Sequence, residues 1–339
     1  MKGRIVFLIA SVVLMSSCRK DLCYNHDDHS PGVRVEFATT WELVWERDYG
    51  CGWQDCWNQE WGCSYEDLCP CMPAGLRVVT YHESGKNNEH NIEPTGRKVV
   101  LGMEGEYRFL LYNNDTEYIV YDDLSSSEDA TATTRTRSRD NFKSPNEGER
   151  IMNQPDMLFG RHVESFYVER KVGTEKIELE MRPLVYTYLV RMEFSQGYQY
   201  VFKANGVMAG MAEKVYLYDG HTGPESASIM FECEQGENCL SANVMTFGVP
   251  GYPGDHYVKG EEDGDYMIRL EVLMTNEKVK IFDIDISSQM KNQPRGGVIE
   301  VKGLEITDEE AKKPEIGGGG FGIGVDEWGN SIDIDLPLT

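Results

Sequence analysis

The chain has 339 residues, 40% of them apolar, and carries 57 acidic against 33 basic side chains, a formal net charge of −24. Such a balance excludes nucleic acid as a partner, because phosphates demand a basic surface, and it favours a soluble body that anionic lipid head groups repel. The length exceeds the usual size of one hydrophobic core, so two domains are expected.

Lys2 and Arg4 open the sequence, an apolar run extends from Ile5 to Met15, and Ser16, Ser17 and Cys18 follow. A charged start, a short apolar core and small residues at the cut are the order of a secretory signal peptide. The run is too short for a comfortable membrane-spanning helix, and no other stretch is long and apolar enough for one. A Cys directly after two small residues resembles the bacterial lipobox in a relaxed form, with Leu14 one place further from the Cys than the strict pattern asks. The resemblance implies that residues 1–17 are removed and that Cys18 becomes an acylated, palmitate-bearing first residue. Loss of Lys2 and Arg4 takes the formal charge from −24 to −26. Residues 18–32 then form a polar tether to the membrane.

The body begins near Val33, where Val33–Phe37 alternates like a strand with one buried face. Residues 41–73 hold Trp41, Trp45, Trp53, Trp57 and Trp61 together with Cys51, Cys56, Cys63, Cys69 and Cys71. They read as an insertion stapled by disulfides and packed on aromatics. Strands are predicted at Leu76–Tyr81, Arg97–Leu101, Tyr107–Tyr112 and Glu117–Tyr121. The last two flank Asn113-Asn-Asp-Thr116, a turn-forming quartet that predicts a hairpin. Residues 125–150, rich in Ser, Thr, Arg and Asp, predict an exposed loop. Further strands are expected at His162–Arg170, Lys176–Met181, Leu184–Phe194, Val215–Tyr218, Ala227–Glu232, Met267–Leu273 and Val279–Ile286. Helical character is confined to Gly206–Lys214 and Glu309–Lys313. Past the run Gly317–Gly320, Ser331–Leu336 alternates Ile332, Ile334 and Leu336 against Asp333 and Asp335, a strand pattern with one wet face. Short strands separated by turn signals indicate an all-β chain of sandwich type. The expected division is 33–175 and 176–339.

With Cys18 assigned to lipid, Cys23, Cys51, Cys56, Cys63, Cys69, Cys71, Cys233 and Cys239 remain, an even number in an oxidising compartment, so disulfides are expected. The first six allow 15 connectivities and none is assigned. Cys233 and Cys239 bracket Gly236 and form the one local pair expected. None of the cysteines has the C-x-x-C spacing of a zinc knuckle, and His26-Asp-Asp-His29 lies in the tether, so no metal site is assigned. Gly317, Gly319 and Gly322 spell G-x-G-x-x-G, but without the strand before and helix after that a dinucleotide needs. The sequence lacks G-x-S-x-G, H-E-x-x-H and P-loop motifs; no catalytic residue and no cofactor is assigned.

Four stretches in order, Cys18–His26, Gly105–Tyr118, Pro155–Gly160 and Gly206–Leu217, together with Phe282–Ile286 and the Gly-rich segment through Trp328, resemble an uncharacterised family of Bacteroidota lipoproteins. That family is related to the fimbrillin-associated anchor proteins of outer-membrane fimbriae. The resemblance implies two transthyretin-like β-sandwich domains in tandem, a surface-exposed outer-membrane location and a non-enzymatic role holding fimbrillin-like subunits. An incomplete sandwich would offer an unpaired edge to such a partner. The Cys/Trp block departs from the pattern. It reads first as a mini-core, while Trp53, Trp57 and Trp61, if exposed, would suit a glycan. Arg135, Arg137 and Arg139 mark a candidate protease-sensitive loop, because fimbrial subunits of this superfamily are processed by Arg-specific proteases.

Overall fold

The computed structural model describes residues 32–45, 52–136, 143–253 and 265–312. The chain is all-β and forms four sheets from nineteen strands among the described residues. The first sheet runs β3 (Asn87–Ile92), β2 (Leu76–His82), β5 (Gly105–Asn113), β9 (Phe159–Val168), β10 (Glu175–Pro183), β1 (Arg34–Trp41) and β4 (Lys98–Val100). Its two halves meet only through the end of β10, where Arg182 and Pro183 register with Gly160 and Phe159. Upstream, β10 lies parallel to β1 from Val35↔Glu175 to Trp41↔Met181. The sheet therefore folds over itself and encloses a core of Val35, Phe37, Leu76, Val78, Phe109, Leu111 and Met181. Phe37 and Phe109, both shielded from water, meet edge to face at 5.1 Å.

A second pair of sheets packs face to face. One runs β15 (Glu234–Gln235), β16 (Cys239–Thr246), β11 (Tyr186–Gln196) and β19 (Gly297–Glu305). Opposite it lie β18 (Val279–Asp285), β17 (Met267–Met274), β12 (Val201–Ala212), β14 (Ser226–Glu232) and β8 (Arg150–Met152). Tyr188, Val190, Met208, Phe231, Leu240, Leu270 and Ile299 fill the space between them. The fourth sheet, β13 (Lys214–Tyr216), β7 (Thr131–Thr134) and β6 (Ile119–Asp122), joins the two regions. It sits on a third core in which Val79, Leu110 and Tyr112 meet Leu184, Val215 and Phe247.

Three expectations are corrected. Tyr107–Tyr112 and Glu117–Tyr121 do lie in strands, yet β5 pairs with β2 and β9 while β6 pairs with β7, so Asn113–Thr116 is a corner between sheets rather than a hairpin turn. The Asn113 side chain fixes that corner, donating from Nδ2 to the Met157 carbonyl (3.0 Å) and accepting at Oδ1 from the Phe159 N–H (2.7 Å). Residues 125–150 are not simply an exposed loop, because Ser127, Ala130, Ala132 and Thr134 are buried and β7 and the start of β8 lie within the segment. Small residues pass for loop sequence, but here they let β7 lie close against the third core.

Gly206–Lys214, expected to be helical, is strand: β12 is an interior strand between β14 and β17. Long-range pairing overrides the local preference. Gly206 is required there, since a Cβ would lie 2.1 Å from the Phe231 ring. Phe231 is itself buried and has nowhere to swing. Gly206→Ala is therefore expected to lower stability by about 1–3 kcal/mol through overpacking, read in urea as a lower midpoint with an unchanged slope.

Candidate functional site

The Cys/Trp block is a mini-core docked on the outer face of the four-stranded sheet. Its two short 3-10 turns, Gln59–Trp61 and Tyr65–Leu68, bring Trp45, Trp61, Tyr65 and Leu68 onto Leu189 of β11 and Val298 of β19. The indoles interlock edge to face, Trp45 with Trp57 at 5.8 Å and Trp57 with Trp61 at 4.8 Å. Their N–H groups are committed: Trp45 donates to the Thr187 carbonyl (2.9 Å), Trp57 to the Cys63 carbonyl (3.0 Å) and Trp61 to Glu300 Oε1 (3.2 Å). Of the three residues proposed to meet a glycan, Trp61 is buried, while Trp53 and Trp57 are half-buried and packed against this cluster. Trp41 stands apart on β1, its ring against Phe159.

The expected disulfides are not formed among the described residues. Cys56 and Cys71 are exposed thiols, Cys63 and Cys69 sit half-buried against the indoles, and Cys233 and Cys239 are free as well. For the last pair the register gives the reason. Glu234 faces Ser241 and Gln235 faces Leu240, so Cys233 comes opposite Ala242 rather than Cys239. Three residues along a strand is about 10 Å, beyond the roughly 4.4–6.8 Å between Cα atoms that a bridge spans. Burial holds the Cys233 thiol protonated, its pKa pushed up to about 12; burial, and next Asp67, raises Cys63. Neither thiol is poised as a nucleophile. Cys18, Cys23 and Cys51 lie outside the described residues.

Arg135 is exposed, but its backbone is engaged on both sides, its N–H donating to Tyr118 (3.3 Å) and its carbonyl accepting from Asn153 (3.0 Å). Arg137 and Arg139 lie outside the described residues, as do His26–His29 and the Gly-rich segment. Among the described residues no group of three His, Cys, Asp or Glu side chains could hold a metal ion, and no helix is long and apolar enough to cross a membrane.

The sheet edges differ sharply. β4 and β8 have three residues and β15 two, too short to template much pairing. β3 is longer but polar, Asn87-Asn-Glu-His-Asn-Ile92. The nine-residue edge strand β19 is closed by two glutamine amides from α1 (Ser287–Met290) and the turn after it. Gln289 exchanges both bonds with the Glu300 backbone (2.9 and 3.0 Å), and Gln293 does the same with Val298 (2.9 and 2.6 Å). They act as a two-rung substitute for a neighbouring strand. The seven-residue β18 has no comparable cover: β17 is its only strand partner among the described residues. Val279 and Ile281 on its outer face are more than half exposed, while Phe282 and Ile284 on its inner face only partly enter the core. Nothing in the alternation of Val279–Ile286 told edge from interior.

Charge brackets this strand. Arg269 clasps Asp283 at 2.7 and 2.9 Å and holds that carboxyl below its usual range. Lys280 Nζ reaches both oxygens of Glu310 (2.7 and 2.8 Å) and the Glu305 carbonyl (2.7 Å). That amine, aided by the Thr307 N–H and hydroxyl, depresses the Glu310 pKa to about 2 from 4.5.

This architecture is that of an all-β chain whose face-to-face sheets leave one long strand edge uncovered among the described residues. The overall fold is similar to that of a provisionally assigned adhesin from Bacteroides ovatus, known from a crystal structure: TM-score 0.54 at 18% identity, covering 85% of this chain and 98% of that one. Residues 65–232 match the model of the family described as Domain of unknown function (DUF5119). Over 365 aligned residues the chain is 24% identical to a Bacteroides ovatus protein provisionally named fimbrium anchoring subunit Fim4B, spanning 98% of this chain and 97% of that protein. The fimbrial anchor protein Mfa2 of Porphyromonas gingivalis aligns at 10% identity with a TM-score of 0.44, covering 79% of this chain and 90% of that one.

Two measurements check these assignments. Trp61→Ala should cost about 3–5 kcal/mol of unfolding free energy, as for a buried aromatic, in a denaturant titration with no ligand present. For Glu310 the folded pKa is depressed, so its contribution is present above the unfolded value near 4.5 and lost as pH falls towards 2. The stability gap between wild type and Glu310→Gln should be full above about pH 5 and close on acidification.

Proposed function

We propose that this chain is a non-enzymatic outer-membrane lipoprotein, held by acylated Cys18, that serves as an anchor or accessory subunit of a fimbria-like surface polymer. The observation that carries this reading is the edge of β18, seven residues long and uncovered among the described residues, whose other sheet edges are short, polar or capped. An exposed edge with alternating apolar side chains is the form of surface that binds an extended partner segment, main-chain bonds supplying affinity and alternate side chains specificity. The full-length similarity to a protein named as a fimbrium anchoring subunit supports the same reading, as does the Cys that follows a signal-like start. In this proposal two transthyretin-like sandwich domains meet at the short link between β10 and β11, later than the boundary at 176 expected from the sequence. The glycan reading loses support because the block's indoles are spent on their own core.

Crosslinking in intact cells, followed by capture of the native lipoprotein, should recover a pilin-like subunit crosslinked to peptides containing residues 279–285. Cys18→Ala should release both proteins from the membrane fraction. Retention of both at the membrane, or crosslinks that avoid β18 altogether, would refute the proposal.

A further inference from the structure

We propose that the end of the first sheet where the chain enters at Gly32 rests on the phospholipid surface, with Val100, Tyr167 and Val172 seated among the lipid head groups. This rests on reading Cys18 as an acylated first residue, and it names the face of the body that the membrane meets.

Four segments of the chain converge at this end. β1 starts there, and Gly32 just before it exchanges two backbone hydrogen bonds with Lys171 (both 3.1 Å). The turn after β2 lies there because β2 runs antiparallel to β5, with His82 opposite Tyr107. The β4–β5 connection and the β9–β10 turn complete the end: Leu101 donates to the Val33 carbonyl (2.8 Å), and Val168 registers with Gly105. The Tyr107 hydroxyl donates to the Met103 carbonyl (2.9 Å) and His82 Nε2 lies 3.0 Å from the Glu104 carbonyl, so the β4–β5 connection is braced against the sheet.

Two properties set this end apart, and the first is apolar exposure. The four most exposed large apolar side chains among the described residues are Val100 (69%), Phe202 (66%), Tyr167 (60%) and Val172 (56%). All but Phe202 are here. The second is charge. Within residues 32–34, 83–86, 100–105 and 167–175, Arg34, Lys86, Arg170 and Lys171 balance Glu83, Glu104, Glu169 and Glu175, on a chain whose formal charge is −24. An acidic surface holds a body off anionic lipid; this end carries no net charge to oppose contact. Tyr rings settle at the head-group level of a bilayer, and the stems of Arg170 and Lys171 can lie along apolar surface with their charges in water.

The tether selects the occupant. Residues 19–31 separate Cys18 from Gly32, a span of at most about 50 Å. Confinement within that radius keeps this end at an effective concentration of order millimolar at the bilayer, so a contact too weak to recruit a free protein suffices to orient a tethered one.

The test is hydrogen exchange on the native lipoprotein in phosphatidylcholine vesicles, once its mass has shown the acyl chains. It is compared with the same chain carrying Cys18→Ala in solution and with a lipoprotein carrying Val100→Ser, Tyr167→Ser and Val172→Ser. Amides of residues 100–104 and 168–174 should exchange at least threefold more slowly on vesicles than in solution, and the triple variant should lose most of that difference. Residues 113–116, at the opposite end of β5, should exchange alike in all three. Should the triple variant unfold, Tyr167→Ser alone supplies the comparison. Equal exchange on vesicles and in solution would overturn the proposal. So would full protection in the variant, which would trace the effect to tethering alone. A chain without acyl groups would sink the proposed function itself, whereas an acylated chain with unprotected amides at this end overturns this inference only.

Discussion

Backbone N–H and C=O groups at the margin of a sheet must find a partner, a substitute or water, and the way each edge meets that demand organises this molecule. β19 runs parallel to β11 on one side and on the other accepts amide groups from Gln289 and Gln293. Only a side chain with both a donor and an acceptor can replace a strand in this way, and two of them four residues apart match backbone positions two residues apart. That closure lets the Cys/Trp block settle on the same sheet through Val298 and Glu300 without leaving a live edge beneath it. β18 receives no such treatment among the described residues, and two of its aliphatic side chains, Val279 and Ile281, are more than half exposed.

The same demand explains how the two regions are joined. β2 and β5 are buried on both faces, Val78 and Leu111 towards the first core, Val79, Leu110 and Tyr112 towards the third. The stretch between Asn113 and Leu158 leaves the first sheet to build β6 and β7, which pair with each other while β7 also pairs with β13, and β8, which lies parallel to β14. Met152 thereby enters the core between the second pair of sheets. Strands contributed across the junction, with a third core beneath them, bind the regions through backbone bonds and buried area rather than through a flexible linker.

Much of this was legible in the sequence. Clean alternation, as in Lys176–Met181 and Met267–Leu273, located strands because one face is buried and the other wet. Partner choice was not legible: β5 and β6 are sequential, carry a turn-like quartet between them and still pair elsewhere, since the Asn113 side chain completes a contact with Met157 and Phe159 that only the fold supplies. β12 resembled a helix because its small residues satisfy both periods, and β7 resembled a loop because its strand is made of Thr and Ala. The block was visible from its Trp and Cys content, but whether indoles face a ligand or each other depends on Leu189 and Val298, far away in sequence. Covered and uncovered edges read alike, because Gln289 and Gln293 carry no mark of the strand they imitate.

The parallel pairing of β1 with β10 bears on how the chain would carry load in the anchoring role proposed above. The chain enters at Gly32, whose backbone exchanges two hydrogen bonds with Lys171, and proceeds along β1 beside β10 for the seven positions from Val35 to Trp41. β10 runs the same way and passes directly into β11. A pull at residue 32, against a load taken up beyond Pro183, drags the two strands in opposite directions along their axes. A ladder loaded in this way must yield at all its rungs together, whereas a hairpin pulled at its open end yields one rung at a time. Resistance to such a pull is governed by the rate of unfolding rather than by equilibrium stability. An antiparallel first strand with the same side chains would bury the same apolar surface and lack this property. The parallel β1, an unusual choice in a largely antiparallel sheet, therefore suits the proposed role, in which the body would be joined to a membrane on one side and to a polymer on the other.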